Sequence, residues 1–238
     1  MTGPLEGRFA LVTGASSGIG HATAIALAAA GARVLATGRN AAALDLLSRR
    51  QDGIEILAGD LTQDGFTARL CALAEGADLL VNNAGALKHT GILDGDPRDW
   101  DRVFRVNVLA LLAVTQPIAR SMVARRSGHI VMVSSLLARR VAPYTAVYAA
   151  SKHAVAALSQ GLRMEVAPHG VRVTEVAPGL VRTGILRDVD APEVIDAYAA
   201  KTFSWLTPEQ IADTIVHAVL SPASANIDLS EIRPDGQF

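Results

Sequence analysis

Thr13-Gly14-Ala15-Ser16-Ser17-Gly18-Ile19-Gly20 is the stretch on which the reading of this chain turns. It follows a short apolar run, residues 9–12 (FALV), and opens an alanine-rich helical segment, 18–30. Glycines permit a tight turn, backbone N–H groups can then approach a pyrophosphate, and the helix N-terminus favours the anion. The spacing is Gly-x-x-x-Gly-x-Gly rather than Gly-x-Gly-x-x-Gly. No lysine stands in the turn, which separates it from a nucleoside-triphosphate loop. Alone, these residues also describe an ordinary βα turn, so the rest of the chain has to decide.

Outward from the turn, short β-branched runs alternate with longer Ala-rich segments. Strands are expected at 9–12, 33–37, 54–58, 78–81, 129–133, 171–176 and 227–232. Helices are expected at about 18–30, 41–50, 64–75, 97–125, 148–168 and 207–220. The last begins at Thr207-Pro208, a capping residue followed by proline in the first helical position. Nearly continuous apolar runs suit strands covered on both faces. The alternation predicts an α/β fold of Rossmann type: a doubly wound, mostly parallel, seven-stranded sheet with helices on both faces. The chain reads as one domain, 1–238, with a substrate loop at about 181–206 beyond a strand's carboxyl end.

Composition narrows the function. Half of the 238 residues are hydrophobic, and 22 Lys+Arg face 23 Asp+Glu, a net charge of -1. That balance argues against nucleic acid and against a polybasic membrane anchor. The most apolar stretch, 105–120, is interrupted by Asn107, Thr115, Gln116 and Pro117, so no membrane span is expected. The N-terminus lacks a basic segment followed by an apolar one. A lone cysteine, Cys71, gives no internal disulfide, and the expected location is cytoplasmic. Six histidines show no metal-binding spacing, so no metal is expected.

The second expected strand ends Ala36-Thr37-Gly38-Arg39-Asn40. Gly38 stands where an acid would bind an NAD ribose, and the Arg39 guanidinium suits a 2′-phosphate. The implied cofactor is NADP(H) ahead of NAD(H). Asp60-Leu61 is expected beside the adenine, with helix capping the alternative for Asp60. Tyr148 and Lys152 share one helix face, and a neighbouring ammonium would lower the tyrosine's pKa toward neutrality. Ser134-Ser135, Asn82-Asn83-Ala84-Gly85 and Pro178-Gly179-Leu180-Val181-Arg182-Thr183 end strands. Asn107 is a polar residue in an apolar helix and needs a partner.

Together, TGASSGIG (13–20), NNAG (82–85), Asn107, Ser135, YAASK (148–152) and PGLVRT (178–183) resemble the short-chain dehydrogenase/reductase superfamily over residues 8–232. The resemblance implies that Tyr148 exchanges the proton with substrate and that Lys152 lowers its pKa and binds the nicotinamide ribose. It implies that Ser135 polarises the substrate oxygen and that Asn107 holds a relay water. Gly14, Ser16, Ser17, Gly18, Ile19 and Gly20 would cradle the phosphates, and Asn83, Ala84 and Gly85 the adenosine-side ribose. Pro178, Gly179, Val181 and Thr183 would hold the nicotinamide end. Members are often dimers or tetramers, so a homo-oligomer is implied through helices 97–125 and 148–168.

The implied activity is NADP-linked reduction of a small-molecule carbonyl or oxidation of an alcohol. SSLLARRVAPYTAVYAASK and the tail EIRPDGQ (231–237) are similar to NADP-dependent serine and 3-hydroxy acid dehydrogenases, and also to clavaldehyde reductase-like proteins. Leu87, Leu136, Leu137, Tyr144, Leu180, Ile185 and Leu186 are candidate pocket residues. Arg139 and Arg140 are either carboxylate ligands or solvated loop charges. A cofactor sensor without turnover would be expected to have lost Tyr148 or Lys152. A sugar-nucleotide epimerase would need a larger C-terminal region.

Overall fold

The computed structural model describes residues 3–184 and 192–237. Seven strands alternate with the helices: β1 (Phe9–Thr13), β2 (Arg33–Gly38), β3 (Ile54–Ala58), β4 (Leu79–Asn82), β5 (Gly128–Val133), β6 (Val171–Pro178) and β7 (Leu229–Ile232). They form one sheet in the order β3-β2-β1-β4-β5-β6-β7, every pairing parallel. Winding from β1 runs one way to β3 and the other way to β7. The reversal lies between the carboxyl ends of β1 and β4, where an open α/β sheet leaves a crevice.

The apolar runs are continuous because both faces of the sheet are covered. Ala10 and Val12 of β1 pack in one core with Leu27, Leu44, Leu47, Ile211 and Ile215. Phe9 and Leu11 pack in the other with Leu70, Val114, Ile118, Met122 and Val155. Helices α1 (Gly18–Ala29), α2 (Ala41–Arg50) and α8 (Pro208–Leu220) cover the first face. Helices α3 (Asp64–Leu73), α5 (Leu111–Arg125) and α6 (Ala146–Val166) cover the second. At the start of α8 the expected cap is a full capping box: Thr207 N–H donates to Gln210 Oε1 at 2.9 Å, and Gln210 N–H to Thr207 Oγ1 at 3.4 Å.

The expected helix over 97–125 is interrupted. It runs as α4 (Pro97–Phe104), a π-helical turn over Arg105–Ala110, then α5. By length and composition alone it could cross a membrane, but Val114, Ile118 and Met122 bury its inner face against the sheet. Pro117 removes the helical donor to Ala113 O. The nearest substitute is the half-buried Cys71 thiol, whose Sγ lies 4.0 Å from that oxygen. Within 181–206 the chain forms helix α7 (Pro192–Ala199), and Val181 bridges Leu206. The expected pocket residues Ile185 and Leu186 lie outside the described residues.

Candidate active site

A cavity of about 540 Å³ opens at the carboxyl ends of the strands, within the usual size of a small-ligand site. One side of it is backbone. Gly14 sits at φ +69, and a Cβ there would come within 2.8 Å of Ala84 Cα. The turn therefore requires glycine both for its left-handed backbone and for close approach to the segment after β4. Asn83 fastens the two together. Its N–H donates to Thr13 Oγ1 at 3.0 Å, and its Nδ2 to Thr13 O at 2.9 Å and Gly14 O at 3.3 Å. Ser17 caps α1 without a side-chain hydrogen bond, so the N–H groups of the first helical turn remain available to an anion.

Gly14, Ser16, Ser17, Gly18, Ile19, Arg39, Asp60, Leu61, Asn83, Ala84, Gly85, Pro178, Gly179, Val181 and Thr183 all line this cavity, as do Ser135, Tyr148 and Lys152. Gly38 lines it too, and a Cβ at Gly38 would approach Ser16 Oγ to 2.8 Å. An acidic side chain at this position would therefore crowd the phosphate turn. Asp60 does not cap α3, whose N-cap is Gln63. Its Oδ1 instead accepts from Thr62 N and Oγ1 at 2.9 and 2.8 Å.

Three expected positions fall outside the cavity lining: Gly20, Asn107 and the pocket candidate Tyr144, whose side chain is exposed. Gly20 packs behind the turn, where a Cβ would reach Gly14 O at 2.5 Å. Asn107 is fully buried. Its Oδ1 accepts from Ala86 N at 2.7 Å, and its Nδ2 donates to Ala86 O and Ser151 Oγ, both at 2.9 Å. Asn107 thus anchors the segment after β4 to α6, and this pairing leaves its side-chain donors committed to protein. The π-helical turn carries it there.

Tyr148 and Lys152 stand one turn apart on α6, as expected, but the electrostatics differ from expectation. Burial raises the Tyr148 pKa, a side-chain hydrogen bond with Ser135 opposes the rise, and Tyr198 adds to it. The Lys152 ammonium does not act on the phenol here. It lies 5.8 Å from the tyrosine ring centre and donates to Val133 O at 3.0 Å. Its own pKa is pulled down to about 8 by burial, with Glu175 opposing. Burial thus pushes both groups toward their neutral forms, Tyr148 upward and Lys152 downward, while a pKa near 8 still leaves Lys152 mostly protonated at neutral pH.

Arg139 is neither a ligand group nor a solvated charge. It forks onto Glu175, at 2.9 Å from Nη1 and 2.6 Å from Nη2, and lies 3.5 Å from Glu231. Glu175 is 1% exposed and also accepts from Ser134 Oγ. The ion pair thus underlies the strand end that carries Ser135. Arg140, the next residue, lines the cavity instead.

Sequence reasoning passed over His89, Tyr198, Lys201 and Gln237, all of which line the cavity. His89 is fully buried between Tyr148 and Tyr198, with ring centres 6.1 and 5.8 Å away. Burial holds its pKa down to about 4. Its only signal was a position four residues beyond Gly85. Gln237 accepts from Leu180 N at 3.2 Å and so ties the tail to the loop after β6.

The family model for short chain dehydrogenases matches residues 8–194. An uncharacterized oxidoreductase of Staphylococcus haemolyticus is 35% identical over 97% of this chain and 98% of its own length. A solved short chain dehydrogenase/reductase family protein is 33% identical and superposes with a TM-score of 0.87, covering 97% of each chain. A serine dehydrogenase in its closed form complexed with NADP+ is 28% identical, with a TM-score of 0.89 over 97% of this chain and 96% of that one. The chain belongs to the short-chain dehydrogenase/reductase family, oxidoreductases that use nicotinamide dinucleotides.

Proposed function

We propose that the protein is an NADP-preferring carbonyl reductase or alcohol dehydrogenase acting on a small hydroxy acid or its oxo form. The observation that carries this reading is the convergence of Ser135, Tyr148 and Lys152 on one cavity with the glycine turn and Arg39. The glycine cradle and the uncapped N-terminus of α1 fit a dinucleotide phosphate. Arg39 makes no hydrogen bond or ion pair with a described residue, which leaves its fork for a 2′-phosphate. The serine dehydrogenase relative with NADP+ supports the same choice.

A bound nicotinamide supplies or takes up the hydride. In the reducing direction Ser135 and Tyr148 donate hydrogen bonds to the carbonyl oxygen as negative charge grows on it, and Tyr148 gives up its proton. Lys152, with its pKa near 8, can return a proton close to neutrality. Arg140 and Lys201 make no hydrogen bond or ion pair with described side chains and line the same cavity, which supports an anionic substrate. The whole chain acts as one domain in this reading. Exposed Leu109 and Leu112 on the helical run 97–125 and Met164 on α6 support a homo-oligomer.

The test is NADPH consumption against paired oxo acids, ketones and aldehydes, with NADH in parallel. Turnover that favours NADPH and disappears in Tyr148→Phe is the expected result. Undiminished turnover in that variant overturns the assignment.

A further inference from the structure

Four buried side-chain atoms have no hydrogen-bond partner among the described residues: Thr23 Oγ1, His89 Nε2, Trp100 Nε1 and His129 Nδ1. Only His89 belongs to the lining of the cavity. Its ring stands edge-on to Tyr148, with ring centres 6.1 Å apart and planes at 65°. Its other nitrogen, Nδ1, is 3.3 Å from the hydroxyl of Tyr198. Tyr198 is itself held by Trp205, with ring centres 5.6 Å apart, and burial raises its pKa to about 12.

The hydrogen bond to Tyr198 sets the imidazole's tautomer. A neutral phenol is a good donor, and a neutral imidazole nitrogen is a good acceptor. With Tyr198 donating to Nδ1, the ring proton resides on Nε2. His89 then presents one donor, without a partner among the described residues, beside the tyrosine expected to exchange the substrate proton. A buried donor of this kind discriminates strongly, because a ligand that fails to satisfy it leaves it unpaired. Arg140 and Lys201 line the same cavity, and their side chains are unengaged by described residues. The acceptor best matched to these three groups is a carboxylate oxygen.

We propose that His89, with its tautomer fixed by Tyr198, is the specificity-determining residue of the substrate pocket. Its Nε2–H binds a carboxylate oxygen that the substrate carries beside its reacting carbonyl or carbinol carbon. This inference rests on the oxidoreductase reading above and adds the group by which an acid is preferred to a plain ketone. His89 touches the substrate. Tyr198 acts through His89 and is a positioning residue.

The experiment compares kcat/KM for acetoacetate and for 2-pentanone in the wild type, His89→Leu, His89→Gln and Tyr198→Phe, with NADPH as reductant. The wild type is expected to favour the acid. In His89→Leu the acid-to-ketone ratio should fall tenfold or more. His89→Gln, which keeps a donor, should restore part of the ratio. Tyr198→Phe should lower it several-fold by freeing the tautomer.

A ratio unchanged in His89→Leu overturns the proposal, as does a wild type that treats acid and ketone alike. Should His89→Leu not fold, the Gln and Phe variants decide by the same ratio. Failure of the oxidoreductase reading is distinct: no NADPH is consumed with either compound. In that case the rise in melting temperature that acetoacetate gives the NADP-loaded protein still decides, being expected in the wild type and absent in His89→Leu. A rise that persists in His89→Leu, or none in the wild type, overturns the proposal.

Discussion

On the glycine-turn side of the cavity, the polar groups of Thr13, Asn83 and Asn107 are matched to others of the protein. Asn83 holds Thr13 and Gly14, Thr13 Oγ1 takes the N–H groups of Asn83 and Ala84, and Asn107 closes on both polar atoms of the Ala86 peptide. On the α7 side, His89 Nε2 has no partner among the described residues, and the Arg140 and Lys201 side chains engage none of them. The first side is a frame whose shape the protein settles internally. The second holds unmatched donors, each of which a ligand can satisfy. A dinucleotide meets a preformed backbone surface, whereas substrate choice falls to a few side chains whose hydrogen bonds are incomplete without it.

Between the two sides stand Tyr148, Ser135 and Lys152, and their loss should have the largest effect. Tyr148→Phe is expected to reduce kcat by about 10²–10⁴-fold, with NADPH affinity little changed. Stopped-flow binding beside steady-state turnover separates the two quantities. Equal losses in both would mean that the tyrosine belongs to the frame.

Arg139 and Arg140 are adjacent in sequence yet serve different sides of the comparison. Arg139→Ala leaves Glu175 as a buried charge without its bidentate partner, a loss of about 3–5 kcal/mol in comparable cases. Urea unfolding should register it, and KM for acids should not change selectively. Were Arg139→Ala as stable as the parent but weaker only toward acids, the assignment of the two arginines would be reversed. Arg39→Ala should act on the frame alone. Hydrogen bonds to charged groups contribute about 1.5–3 kcal/mol each, so NADPH should weaken roughly ten- to a hundred-fold and NADH much less. Titration of both cofactors by nicotinamide fluorescence checks this, and equal weakening would break the 2′-phosphate reading.

What was legible in the sequence divides along the same line. Strand positions, the crossover helices and the glycine turn follow from local patterns, and most expected bounds are met within a few residues. The α8 cap was readable because Thr207, a capping residue, directly precedes Pro208 at the first helical position; the Gln210 half of the capping box came from the structure. The π-helical turn was not, because it serves a contact between Asn107 and Ala86, 21 positions away. The Arg139–Glu175 fork spans 36 positions and the His89–Tyr198 contact 109. Neither has a local signature. The pKa of Tyr148 was misjudged for a related reason. Spacing puts the lysine on the correct helix face, but burial and the Val133 carbonyl decide where its charge acts.

The smallest expected effect separates His89 from the other buried histidine. His129 lies in β5 away from the cavity, with Nε2 2.8 Å from Thr174 Oγ1, and burial first and Arg172 second hold its pKa down to about 3. Both rings stay neutral in the folded protein while the unfolded chain protonates them near pH 6.5. The unfolded state then binds more protons as pH falls below 6.5, so stability drops, and each histidine contributes about 1 kcal/mol between pH 6.5 and 5.5. The contribution keeps growing until pH reaches the folded pKa, near 4 for His89 and near 3 for His129. His89→Leu should remove its share of this slope in urea unfolding followed from pH 7.5 to 5, and His129→Leu an equal share. The two variants should differ only when acetoacetate and NADP are present. The ligands should stabilise His129→Leu as they do the parent, and His89→Leu less. Equal ligand stabilisation in both variants would place His89 with the protein's internal frame rather than with the substrate.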